Sequence, residues 1–166
     1  MNAIEIAKKM ETDAIEFYTE AGNKIKYPAG KKMFETVVAD ERKHLEVVNK
    51  ILQGMQVNID DVPTLGNIRT VFEDLKDEMM EKVEASSEEL EALKIAMQME
   101  KEGAAFYRKL AAEAKTEQEK ELFTKLIKEE EKHFEIFENT FNFLDDTGNW
   151  FTWNEHAMFD GGTPTA

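Results

Sequence analysis

Residues 1–52 recur at residues 90–141. A shift of 89 positions, with no gap, lays Met10 and Glu11 on Met99 and Glu100, and Phe17 and Tyr18 on Phe106 and Tyr107. It also lays Phe34 on Phe123, and Glu41, Lys43 and His44 on Glu130, Lys132 and His133. Fourteen positions are identical, about three times what chance gives in a chain of this composition. Two halves that copy one another restrict the fold to two similar units, and the repeat keeps the residues able to carry chemistry as well as those able to fill a core.

Each half reads as two helices. Apolar residues recur every three or four positions over 2–25 and 28–52, and again over 86–115 and 116–143. Pro28 stands at a favoured first helical position, and Gly54 follows the end of the second segment. Ser86 with Glu89, and Thr116 with Glu119, are capping-box pairs that predict the starts of the third and fourth segments. The turns inside each half are short, so each half is expected to be an antiparallel hairpin. The halves are separated by the 34 residues from Gly54 to Ser87. There Val71, Phe72, Leu75, Met79 and Val83 predict a short extra helix. The expected fold is all-α: a four-helix bundle of two repeated hairpins joined by a long crossover, spanning residues 1–143. Residues 144–166, with turn residues and clustered aromatics, are expected to form an irregular tail.

Composition narrows the function. There is no cysteine, which excludes disulfides, zinc–thiolate sites and iron–sulfur clusters in this chain. A net charge of -14 argues against a nucleic-acid partner, which needs a basic surface. No apolar run approaches the roughly 20 residues needed to span a bilayer, and Met1–Met10 lacks an apolar signal core. A cytoplasmic protein is expected.

Some charges fall on the wrong face. In the second segment Phe34, Val37, Val38, Leu45, Val48, Ile51 and Leu52 keep helical spacing without a break only if Glu41 and His44 belong to the stripe. In the fourth, Leu122, Phe123, Leu126, Ile127, Phe134, Phe137 and Phe141 bracket Glu130 and His133 in the same way. Glu11 stands among Ile4, Ala7, Ile15, Tyr18 and Ile25, and Glu100 among Leu93, Met97, Ala104, Tyr107 and Ala111. Four carboxylates buried together cannot all stay ionised unaided, because burial costs several kcal/mol per ion and like charges raise one another's pKa. Two divalent cations cancel four carboxylates, and two neutral imidazoles complete the coordination. In Glu-x-x-His the two side chains lie one turn apart on one helix face, so both reach the same or adjacent metals. The predicted ligands are Glu11, Glu41, His44, Glu100, Glu130 and His133. This is the donor arrangement of di-iron and di-manganese carboxylate bundles.

Other residues carry weaker signals. Asp40 and Glu129 stand one turn before the histidines and are candidates to orient an imidazole of the opposite hairpin. Tyr18 and Tyr107 point inward two turns beyond Glu11 and Glu100. They are candidates to hydrogen-bond a ligand carboxylate and so to join the four glutamates in catalysis. His156, in the aromatic tail, reads as a surface histidine, and the nine methionines read as core filler.

The phrases METDAIEFY followed by DERKH, and MEKEGAAFY followed by EEEKH, resemble the rubrerythrin-like branch of the ferritin-like superfamily over residues 2–143. The tail phrase NWFTWNEH is similar to the ending of stand-alone members of that branch. The resemblance implies a ferritin-like bundle with the same six residues as di-iron ligands. Two departures stand out. Rubrerythrin itself carries a rubredoxin-like cysteine domain, and this chain has no cysteine. Rubrerythrin also has an extra glutamate three residues after the third-helix ligand, where this chain has Gly103. The remaining set of four glutamates and two histidines also resembles bacterioferritin.

The resemblance and the residues together imply a non-haem peroxidase that reduces hydrogen peroxide with electrons from a separate donor such as rubredoxin. Iron is the expected metal and manganese also suits the ligands. A homodimer is expected. A ferroxidase or iron-storage protein, with dioxygen as oxidant, uses the same ligands. A helical interaction module, with inward charges paired without metal, is the non-enzymatic alternative.

Overall fold

The computed structural model describes residues 2–56 and 87–145. Four helices account for nearly all of them: α1 (Ala3–Lys24), α2 (Pro28–Leu52), α3 (Ser87–Glu113) and α4 (Glu117–Asp145). The α2 and α4 starts, Pro28 and Glu117, are 89 residues apart, so the repeat in sequence is a repeat in structure. The fourth helix runs to Asp145, two residues past the expected end. Leu144 and Asp145, expected in the irregular tail, are the last residues of this helix; the predicted extra helix over 71–83, the Ser86 cap and residues 146–166 of the tail lie outside the described residues.

Local chemistry fixes the ends. Asn2 caps α1 in a reciprocal box: Glu5 N–H donates to Asn2 Oδ1 at 2.9 Å, and Asn2 N–H donates to Glu5 Oε2 at 2.8 Å. At α4 only half of the expected box forms as drawn. Glu119 N–H donates to Thr116 Oγ1 at 3.1 Å, but the Glu119 carboxylate reaches one residue further back, to Lys115 N–H at 3.0 Å. The α2 helix ends in a Schellman pair, with Gly54 N–H on Ile51 O at 3.0 Å and Met55 N–H on Lys50 O at 2.9 Å. Gly54 adopts φ of 70°, which a side chain would resist.

The two hairpins, α1–α2 and α3–α4, are the most extensive packing units. They meet along two seams, α1 against α3 and α2 against α4, so the helices form a closed four-sided bundle. The core divides into two apolar clusters. One, built on Tyr18, Met33, Phe34, Leu93, Phe137 and Phe143, fills the end near the α1–α2 turn. The other, built on Ala7, Val47, Tyr107, Leu122, Phe123 and Leu126, fills the end near the α3–α4 turn. The buried stripes agree with expectation except in places. Leu45, Met97 and Phe134 are only half-buried, while Val47, Ala96 and Ile136 take the inward positions. A step of three or four residues from His44 lands on Val47 and Val48, which leaves Leu45 at the edge of the stripe.

Candidate metal centre

All six predicted ligands meet between the two apolar clusters. Glu11, Glu41, His44, Glu100, Glu130 and His133 are each at most 4% exposed. Each side chain comes from the middle of its helix, where the backbone is fully hydrogen-bonded and rigid. Their donor atoms form two groups, Glu11–Glu41–His44–Glu130 and Glu41–Glu100–Glu130–His133, each with its atoms within 4.8 Å of one another. Glu41 and Glu130 belong to both groups. Glu11 and Glu100 each belong to one.

Glu41 stands between the two rings. Its Oε2 lies 3.0 Å from His44 Nδ1 and its Oε1 lies 3.1 Å from His133 Nδ1. The rings are near-parallel, with centroids 5.7 Å apart. Glu130 Oε1 lies 3.1 Å from His44 Nδ1, and Glu100 Oε2 lies 3.5 Å from His133 Nδ1. Both histidines therefore turn Nδ1 toward the centre and Nε2 away from it.

The surroundings set the protonation of the metal-free centre. Burial pushes the Glu11 and Glu100 carboxyls well above the usual range, and the charges of Glu41 and Glu130 push the same way. Burial alone would raise Glu41 and lower the histidines, but here ion pairing outweighs it. His133 and His44 hold Glu41 well below the carboxylate range. The carboxylates around His44 and His133 hold both imidazoles well above the ordinary 6.5. In the metal-free bundle, protons on Glu11, Glu100, His44 and His133 do the neutralising that cations would do.

Both tyrosines cross to the other hairpin. Tyr18 O–H, on α1, donates to Glu100 Oε1 at 2.7 Å, and Tyr107 O–H, on α3, donates to Glu11 Oε1. Burial, with Glu100 next to Tyr18 and Glu11 next to Tyr107, raises both phenols well above their ordinary value, so they remain donors. Their partners are the unshared carboxylates, a choice that the sequence left open.

The two outer carboxylates behave differently. Asp40 Oδ2 lies 3.1 Å from His133 Nε2, across the hairpins, as expected. Glu129 does not do the same for His44, whose buried Nε2 makes no hydrogen bond among the described residues. Glu129 instead lies beside Asp40 and His133, with Lys132 Nζ 3.4 Å from its Oε1.

Three observations test whether a pair of metal ions fits. The donors are carboxylates and imidazoles, which suit iron and manganese. They interlock as two four-donor groups with two shared carboxylates. Two inward carboxylate oxygens, Glu100 Oε2 and Glu130 Oε1, are buried and face only the inward ring nitrogens of His133 and His44, at 3.5 and 3.1 Å, where a cation would take the place of the protons between them. The residues fit.

A family model for rubrerythrin matches residues 2–141. The chain belongs to the rubrerythrin family. The match runs through both hairpins and all six inward residues. Rubrerythrin membership implies di-iron binding, and the buried cluster is a site of the kind such binding needs. Comparison with curated proteins and with solved structures returns no match. Among the described residues no helix is long and apolar enough to cross a membrane.

Sequence reasoning missed one feature of the rubrerythrin centre here. A Cβ placed on Gly103 would come 2.7 Å from Glu130 Oε2. Gly103 therefore leaves room for a shared carboxylate. The signal was in the sequence, as the one glycine in the buried stripe of α3, but its neighbour on α4 was not.

Proposed function

We propose that the centre holds two iron ions and reduces hydrogen peroxide with electrons from a separate donor protein. The observation that carries this is the interlocked donor set, in which Glu41 and Glu130 would be held in common while Glu11 with His44, and Glu100 with His133, would complete the two ends. When bound, such a pair would supply two electrons, with which hydrogen peroxide and two protons would give two waters, and the donor protein would return the two electrons.

The chain's own residues prepare the site. The apolar clusters at either end exclude water, which strengthens every charge interaction between them. Asp40 fixes the His133 ring so that Nδ1 faces inward. Tyr18 fixes Glu100 by Oε1 and leaves its Oε2 facing His133, and Tyr107 fixes Glu11 by Oε1. With no cysteine to build a redox relay in this chain, a donor carrying its own centre, such as rubredoxin, suits the reaction.

A second reading, ferroxidase or iron storage, is favoured by Gly103, which leaves the centre with four glutamates and two histidines and no additional carboxylate. Rapid mixing of the ferrous-loaded protein with peroxide and with dioxygen separates the two. Faster reaction with peroxide, and a homodimer by size-exclusion mass, support the peroxidase. Faster reaction with dioxygen, or a shell-forming oligomer, supports iron handling. Manganese in place of iron would appear in metal analysis of protein purified without added metal.

A further inference from the structure

A pocket of about 160 Å³ opens along the α1–α3 seam and ends on the centre. Met10 and Met99 flank it at equivalent positions of the repeat, and Asp13 with Glu102 and Ala14 with Gly103 are two further equivalent pairs. Glu11, Tyr18 and Glu130 also line it. It is a space rather than a row of small residues, and two of its walls are buried carboxylates from the centre, Glu11 at 3% exposure and Glu130 at 4%. Glu130 turns one oxygen, Oε1, to His44 Nδ1 at 3.1 Å and holds the other, Oε2, where a Gly103 side chain would collide with it. On the α2–α4 seam Asp40 and His133 close the gap at 3.1 Å.

We infer that this pocket is the port through which a small uncharged hydroperoxide reaches the centre, hydrogen peroxide itself or one bearing a short alkyl group. This rests on the di-metal reading above. Size and lining set the substrate class. A space of about this volume is large enough for a molecule the size of benzene, so a peroxide with a few carbons fits beside Met10, Met99 and Ala14. The thioethers and the alanine offer apolar contact. Glu11 and Glu130 inside, and Glu102 on the lining, disfavour an anion such as superoxide. Gly103 is then a specificity-determining position: it keeps the passage open and leaves the Glu130 carboxylate undisturbed.

Nitric oxide, a neutral diatomic, is the probe. Its uptake by the ferrous-loaded protein is followed by stopped-flow absorption, with metal content measured on the same samples. Ala14→Leu, which fills the pocket from α1, should slow uptake roughly tenfold or more at unchanged metal content. Met99→Ala, which widens the mouth, should speed uptake of the larger neutral probe ethyl isocyanide by a similar factor. Parent-like rates in both variants at full metal content overturn the port. If Ala14→Leu fails to fold, Met99→Ala decides: a faster isocyanide rate supports the port and an unchanged rate overturns it. A parent that binds no metal defeats the di-metal reading instead. Xenon pressurisation of crystals of the metal-free protein then judges the pocket alone: xenon between Met10 and Gly103 supports it, and an empty space there overturns it.

Discussion

The two halves of the centre are copies in sequence and unequal in structure. Under the 89-residue shift, Glu11, His44 and Tyr107 correspond to Glu100, His133 and Tyr18. The correspondence holds at the unshared carboxylates, each of which accepts a hydrogen bond from the tyrosine of the other hairpin. It fails at the outer ring nitrogens. His133 is held from both sides, by Glu41 on Nδ1 and Asp40 on Nε2. His44 is held on Nδ1 only. The repeat places Asp40 opposite Glu129, so the two partners differ by one methylene, and the longer one is drawn to the neighbouring Lys132. A duplicated hairpin thus supplies two similar donor groups, and a single chain is free to make one stiffer than the other.

The largest test of this comparison separates shared from unshared carboxylates. Glu41→Ala should reduce bound metal from two ions per bundle to nearly none, whereas Glu11→Ala or Glu100→Ala should leave about one. Metal analysis after anaerobic iron loading reads the difference directly. Equal losses in all three variants would remove the distinction between the groups.

Removing the metal should invert the response to pH. His44 and His133 are raised above 6.5, and Glu11 and Glu100 above 4.5. The stability these groups give the metal-free bundle is complete below those ordinary values and is lost as pH rises through the raised ones. The metal-free protein should therefore melt at a lower temperature at pH 9 than at pH 6. The loaded protein should show the opposite trend over the same range, because cations must displace those protons to bind. Thermal melts of both forms across that interval check the sign, and parallel curves would contradict the protonation scheme.

The two histidines should then differ in what their loss does. His133→Ala takes the imidazole away from the buried Asp40 and leaves Glu41 with His44 alone, and should destabilise the metal-free bundle by roughly 3–5 kcal/mol. His44→Ala, with no outer carboxylate to strand, should destabilise it less. Urea unfolding of the two variants measures the gap, and equal midpoints would mean that the Asp40 contact contributes nothing. A gentler version is Asp40→Asn, which should weaken binding of one of the two metals by about 10–100-fold, while Glu129→Gln changes it less. The smallest effect is expected from the tyrosines. Tyr18→Phe and Tyr107→Phe each remove one buried donor and should cost about 1–3 kcal/mol of stability, in similar amounts. A large difference between them would show that the symmetry breaks at the unshared carboxylates too.

Much of this was legible before any coordinates. The repeat and the apolar periodicity gave four helices within two residues of their observed ends. The interruption of each stripe by Glu or by Glu-x-x-His placed six ionisable groups inside, because a helix that buries the residues on either side of Glu41 must bury Glu41 as well. Asp40 was legible for the same reason, one turn before His44 on a neighbouring strip of the surface. The misplaced expectations, Leu45 and Phe134 as core and Glu129 as the partner of His44, concern side-chain direction at the edge of the stripe. There one helix residue turns through about 100°, so the adjacent helix decides which neighbour faces in.

The sequence by itself determined that this chain makes two like hairpins and carries four carboxylates and two imidazoles into a core, since helical periodicity is a property of one strand of chain. Only the tertiary structure decided that Glu41 and Glu130 serve both halves, that the tyrosines reach across to the unshared carboxylates, that His133 has an outer partner and His44 has none, and that Gly103 opens onto Glu130. Each of those depends on the angle and register at which one helix meets another. Register between helices is fixed by the packing of both surfaces together, and neither surface encodes it alone.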